Sequence, residues 1–324
     1  MGTGSGRRPL MAVRATDREG VQVLDPAGLF VLADELPELD HPVLVHGLPG
    51  FVDAGSGVRL VTEHLLETLP STVVARFDHD ILIDYRGARP SLVFAEDHYQ
   101  DYAPPEIVLH AVDDADGTRF LLLAGREPDF QWERFGAAVI DLVRRFEVRV
   151  SIGLLAIPMT IPHTRPMSVT GHGSKPGLVP IDGNIFTGEI RVPASVSAFL
   201  ELRLGQAGCD AGGFAAHVPH YLAATEYPDA AITLLERLAA STGLHLPTDL
   251  LAASAASTRD AIEEQVSASG EVQEIVAQLE RQYDAVVARD PATLLDADGA
   301  LPDGDQIGAE FERFLAGLDD GGKP

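Results

Sequence analysis

Three stretches of this sequence gather residue types able to hold a ligand. The first is Gly47-Leu48-Pro49-Gly50-Phe51-Val52-Asp53-Ala54-Gly55-Ser56-Gly57. It follows the apolar run Pro42–His46 and precedes a segment with helical spacing, Val58–Leu69. Backbone amides at such a turn can wrap an anion. Asp53 suits a sugar hydroxyl or a cation; alternatively it or Ser56 caps the helix. The second stretch, Gly125-Arg126-Glu127-Pro128-Asp129-Phe130-Gln131-Trp132, leaves another strand-like run, with Arg126 and Glu127 in position to clamp a ligand. Asp129 there reads as the cap of a helix beginning near Gln131. The third stretch supplies Thr160, His163, Thr164, Arg165, Thr170 and His172; an imidazole and a guanidinium close to a strand end suit an anion or a carboxylate. The candidate binding residues are therefore Gly47, Gly50, Asp53, Gly55, Glu127, His163 and Arg165.

Other chemistries lack their signatures. The first glycine loop is not G-x-G-x-x-G and no G-K-[ST] follows, so neither the dinucleotide nor the P-loop pattern is met. His46-Gly47 resembles the opening of a hydrolase oxyanion loop, but no G-x-S-x-G nucleophile elbow exists. His217-Val218-Pro219-His220 places two imidazoles three apart, with Pro219 spoiling a clean helix, and no H-E-x-x-H occurs. The single cysteine, Cys209, excludes an internal disulfide and a C-x-x-C zinc site. No metal and no cofactor is expected, and which residues, if any, are catalytic is unknown from the sequence.

The elements that must position these loops alternate. Pro42–His46 is a short apolar run, as expected of a strand buried on both faces. With the Val58–Leu69 helix and a strand over Ser71–Phe77 it forms a βαβ unit. Ile81–Ile83 and Leu92–Phe94 flank a Gly/Pro turn and read as a hairpin inserted over about 78–101. Strands are expected at Ile107–Val112, Arg119–Ala124, Val148–Ile157 and Gly212–Val218, and helices at Gln131–Phe146 and Ser195–Leu204. The Pro- and Gly-rich run from Pro158 to Gly188 reads as one long loop. Beyond residue 225 the spacing predicts helices at Ala230–Ser241, Pro247–Ala256, Thr258–Arg289 (interrupted at Ser269-Gly270) and Gln306–Leu318. The expected organisation is an arm over 1–25, an α/β core over 26–225, and an acidic helical part over 226–324 that serves as a lid.

Charge narrows the partners. The 324 residues carry 49 Asp plus Glu against 24 Lys plus Arg, a formal net charge of −25. Phosphate backbones and anionic membranes are repelled by such a body, so nucleic acid and membrane are not expected partners. Only Lys175 and Lys323 are lysines. No run approaches 18 apolar residues and no apolar leader region appears, which predicts a soluble cytoplasmic protein. Hydrophobic content of 45% is globular, and a chain of this length builds a core without cross-links.

The block Val43–Gly55, with Gly125–Trp132, Ile157–Thr160, Pro162–Pro166 and His217–Tyr221, resembles the proteasome assembly chaperone family in its actinobacterial branch, whose function is uncharacterised. The resemblance spans about residues 20–318. It implies a three-layer α/β/α sandwich like that of purine nucleoside phosphorylases, a β-hairpin insertion used for oligomerisation, and helices lying over a ligand cleft. It also implies action through protein–protein contacts in a homo-oligomer, with a trimer favoured, and a proteasome-related or other protein partner. Some relatives dock through a C-terminal hydrophobic-Tyr-any motif; Asp320-Gly321-Gly322-Lys323-Pro324 does not carry it. The alternative reading is a nucleoside-like or anionic small-molecule binder or enzyme using the loops above.

Overall fold

A computed structural model of the chain describes residues 25–87, 89–180 and 189–289. Its centre is one eight-stranded sheet. In chain order the strands are β1 (Phe30–Leu32), β2 (Val43–Gly47), β3 (Ser71–Phe77), β6 (Ile107–Asp113), β7 (Arg119–Gly125), β8 (Val150–Met159), β9 (Val169–Gly173) and β10 (Ala211–Pro219). The hairpin strands β4 (Ser91–Ala95) and β5 (His98–Ala103) form a separate two-stranded sheet. The large sheet runs β1-β3-β6-β7-β2-β8-β10-β9. Its middle, β7-β2-β8-β10, is all parallel, while β6 and β9 are antiparallel to their neighbours.

Helices cover both faces. On one lie α1 (Gly57–Thr68), α5 (Pro228–Thr242) and α6 (Asp249–Ala268), on the other α3 (Trp132–Arg145) and α4 (Val196–Gln206). The sequence dictates this sandwich. Every residue of β2 and β10 is buried, which requires cover on both faces. Phe135, Val139, Leu142 and Val143 form the buried stripe of α3. Leu234, Leu235 and Leu238 of α5 are fully buried in the same cluster as Val61 and Leu65 of α1, each contributing about 1.5–3 kcal/mol. The last described helix is α7 (Gly270–Arg289).

Three expectations change. Residues 81–83 are not a hairpin strand: His79–Leu82 form a helical turn, α2, and Leu82 and Ile83 are buried in the core, so the hairpin is confined to β4 and β5. An apolar triplet so short fits a strand or a helical turn equally, and burial decided. The loop after β8 contains β9, a strand that its Gly-rich sequence hides. Residues 26–32, at the start of the expected core, form a 3-10 turn and the edge strand β1. Between Asp249 and Arg289 the only break is at Ser269, between α6 and α7; Ala256–Thr258 is continuous helix. The Gln306–Leu318 helix lies outside the described residues, as does most of the 1–25 arm.

Candidate functional site

The four parallel strands deliver their C-terminal ends to one edge. Leaving there are the Gly47 loop from β2, the Gly125 loop from β7, the Thr160–Pro166 loop from β8 and the His220–Tyr227 segment from β10. This is the edge where open α/β sheets bind ligands.

Each candidate residue there has an internal partner. Asp53 Oδ1 accepts the Val58 amide at 2.8 Å and Oδ2 the Arg59 amide at 3.1 Å, so the carboxylate caps α1. Burial pushes its pKa up, and those two amides pull it back down. Glu127 Oε2 accepts the Phe51 amide at 3.1 Å, and Oε1 accepts the Val196 amide at 2.6 Å at the start of α4. Gly50 makes this possible: a Cβ there would stand 1.8 Å from Glu127 Oε2. Gly55 has φ +65°, and its amide donates to Ala223 O at 2.8 Å while its carbonyl accepts the Tyr227 amide at 2.8 Å. Gly47 packs on Val58 and Thr62 of α1.

His163 and Arg165 form a second group. The His163 amide and Nδ1 meet Tyr221 Oη at 2.8 and 2.7 Å. Burial lowers the His163 pKa against the pull of Glu263 and Glu280, and burial pushes the Tyr221 hydroxyl up to about 12. Arg165 reaches α7, where Asp284 and Glu280 accept from it, and Thr164 Oγ1 donates to Glu280 at 2.5 Å. The segment after β10 ties the groups together, since Tyr221 meets His163 while Ala223 and Tyr227 hold Gly55.

Other expected roles move. Asp129 does not cap α3; its Oδ2 accepts the Asp84 amide at 2.7 Å, because Gln131 enters the helix through a left-handed φ of +56°. Trp132 donates to Pro128 O at 2.6 Å and packs on Phe199. His217 is fully buried between Ser168 and Thr170 hydroxyls, each at 2.8 Å. Sequence spacing missed Tyr227, which closes over Gly55, and Ser197 and Glu201 of α4, which lie against the Nδ1 atoms of His46 and His172. Both arise from contacts between segments far apart in the chain and leave no local pattern.

The fold and these loops define a three-layer α/β sandwich in which α7, the last described helix, contacts the loop after β8. The chain belongs to the PAC2 family, whose pattern matches residues 47–266. It is similar to the Mycobacterium tuberculosis protein of unknown function Rv2714, at 46% identity over 81% of this chain and 93% of that one, with a TM-score of 0.78. A Corynebacterium glutamicum protein of unknown function is 38% identical over 81% of this chain and 98% of its own, with a TM-score of 0.76. The Mycobacterium tuberculosis proteasome-assembly chaperone homologue Rv2125 shares the fold at 24% identity, covering 72% of this chain and 99% of that one, with a TM-score of 0.66. The comparison with curated proteins gave no match. Among the described residues no helix is long and apolar enough to cross a membrane.

Proposed function

We propose that this chain acts through protein–protein contacts as a cytoplasmic homo-oligomer, a trimer, of the assembly-chaperone type, with a proteasome-related or other protein partner. The observation that carries this is the β4–β5 hairpin. Among the described residues it pairs with no other strand, and Phe94 and Tyr99 are 59% and 70% exposed with ring centroids 5.0 Å apart. Leu92 and Tyr102 are exposed beside them. A two-stranded sheet is marginal by itself, and a clustered apolar surface calls for cover by another chain. Sedimentation of the full chain tests it: a trimer is expected, and Phe94→Glu with Tyr99→Lys should yield folded monomers. A monomeric wild type, or an oligomer indifferent to both changes, overturns the reading.

A second reading, a nucleoside-like or anionic ligand held by Gly47, Gly50, Asp53, Gly55, Glu127, His163 and Arg165, is favoured by the meeting of four loops at one sheet edge. Against it, the Asp53, Glu127 and Arg165 side chains already bind internal partners. A metabolite co-purifying with the chain and lost on Arg165→Ala would favour this second reading.

A further inference from the structure

Strand β1 ends the large sheet, and its three residues, Phe30-Val31-Leu32, are all apolar. The Asp78 amide donates to Leu29 O and the Ala33 amide to Val74 O, each at 2.9 Å. Main-chain groups alternate sides along a strand, so those of Val31 also turn towards β3, and the amides and carbonyls of Phe30 and Leu32 face away from the sheet. Among the described residues no strand pairs with that outer edge. A bare apolar edge is one that natural proteins cover.

The sheet face beside this edge is bare as well. Phe30 and Leu32 pack on the cluster beneath α3, so Val31 points to the opposite face, where it is 75% exposed. Val31, Arg76 of β3 and Val108 of β6 stand in one cross-strand row. No residue of β1 or β3 belongs to the core cluster beneath α1 and α5, and Val108 belongs to neither cluster. A cleft of about 390 Å³ opens where β1, β3 and β6 meet the start of α2; Phe30, Val31, Arg76, His79, Glu106 and Val108 are among its walls. At its rim Arg76 Nη1 donates to Glu106 at 2.9 Å, and Asp78 accepts the Asp80 amide at 3.1 Å. Both rim carboxylates are thus engaged, while the Arg76 side chain is 54% exposed.

We propose that this corner seats the β4–β5 hairpin of a second copy of the chain, with an outer hairpin strand laid along the β1 edge and Phe94 and Tyr99 entering the cleft. The proposal rests on the oligomer reading above and supplies its acceptor surface. The hairpin offers what the corner lacks. Among the described residues β4 and β5 pair only with each other, so each has a free main-chain edge. Its aromatic rings are exposed, and over residues 89–103 it carries Glu96, Asp97 and Asp101 against Arg89, which suits the guanidinium at the rim. Main-chain pairing supplies strength and the cleft selects side chains. Each chain's hairpin leaves the core after Ile83 and returns at Ile107, beside its own cleft. Hairpin and cleft are different patches, so the contact runs head to tail. A self-complementary contact stops at two copies, whereas a head-to-tail contact can close a ring of three.

Sedimentation of the full chain separates this seat from the oligomer reading on which it rests. Val31→Glu, at an exposed side chain, should keep the wild-type circular dichroism and leave monomers. Mixed with the Phe94→Glu, Tyr99→Lys chain it should form a one-to-one dimer and nothing larger, because each partner retains one sound surface of the opposite kind. If Val31→Glu does not fold, the half-exposed Arg76→Glu takes its place. A folded variant that assembles like wild type overturns the seat and leaves the hairpin reading standing. So does a mixture that stays monomeric well above the concentration at which wild type dissociates. A monomeric wild type overturns both.

Discussion

Arg165 grips Asp284 with two parallel contacts, Nε to Oδ1 at 2.8 Å and Nη2 to Oδ2 at 2.7 Å, and so ties the β8 loop to the last described helix. Tyr283 adds a hydrogen bond to Pro166 O at 3.1 Å, and Met159 and Ile161 give it a small apolar seat. Since both charged partners are substantially exposed, the pair contributes only about 0–1 kcal/mol. Arg165→Ala should accordingly leave global stability almost unchanged while raising amide exchange selectively in α7. Exchange that stays the same in α7 would show that apolar seating alone holds it.

Shortening the chain should distinguish α7 from α5. Ending it after Ala268 removes α7 and leaves both core clusters whole. Ending it after Glu226 strips Leu234, Leu235 and Leu238 from the core and should leave no cooperative unfolding transition. A cooperative transition in the shorter chain would refute the assignment of α5 to the sandwich.

Glu127 is the fastener between the first glycine loop and α4. Glu127→Ala strands the Phe51 and Val196 amides, at about 1–3 kcal/mol for each left without a partner. Gly50→Ala pushes a methyl into the same carboxylate and should cost about 1–3 kcal/mol. Both are read by denaturant unfolding. In the double variant the costs should fall short of additive, because the methyl no longer meets a carboxylate.

Ile83 and Phe94 should behave differently although both lie in the region expected to be one hairpin. Ile83 is 3% exposed and belongs to the core, so Ile83→Asp should unfold the chain. Phe94→Glu is expected to change only the sedimentation coefficient. A folded monomer from Ile83→Asp would restore that residue to the subunit contact.

Acid should weaken the fold through two histidines. Burial lowers His46 and His217 from 6.5 to about 4. The unfolded chain therefore binds more protons between these values, so stability is fully present above pH 6.5 and falls as pH drops towards 4. Each ring contributes on the order of 3 kcal/mol to that loss. Asp53 and Asp229, raised by burial, oppose it at the acid end, above their ordinary 3.8. Unfolding free energy measured from pH 7.5 to 4 should slope accordingly, and His46→Gln should flatten the slope. An unchanged slope would mean that His46 takes up its proton without strain.

The α/β character, the order of the core strands, the helices α1, α3, α4 and α5, and the family were all legible in the sequence. They depend on apolar periodicity and on turn residues, which are properties of neighbours along the chain. The break at Ser269 was legible for the same reason, as a glycine beside it weakens the helix. Only the tertiary structure decided that Ile83 enters the core, that a Gly-rich stretch pairs as β9, and that Glu127 serves Gly50's loop and α4 instead of standing free. The same is true of His46 and His172, which fall in one row of the sheet register with two glycines between them although 126 positions separate them. Such contacts follow from strand register and from which faces the helices cover, and pairing between distant segments leaves no trace in the spacing of either one.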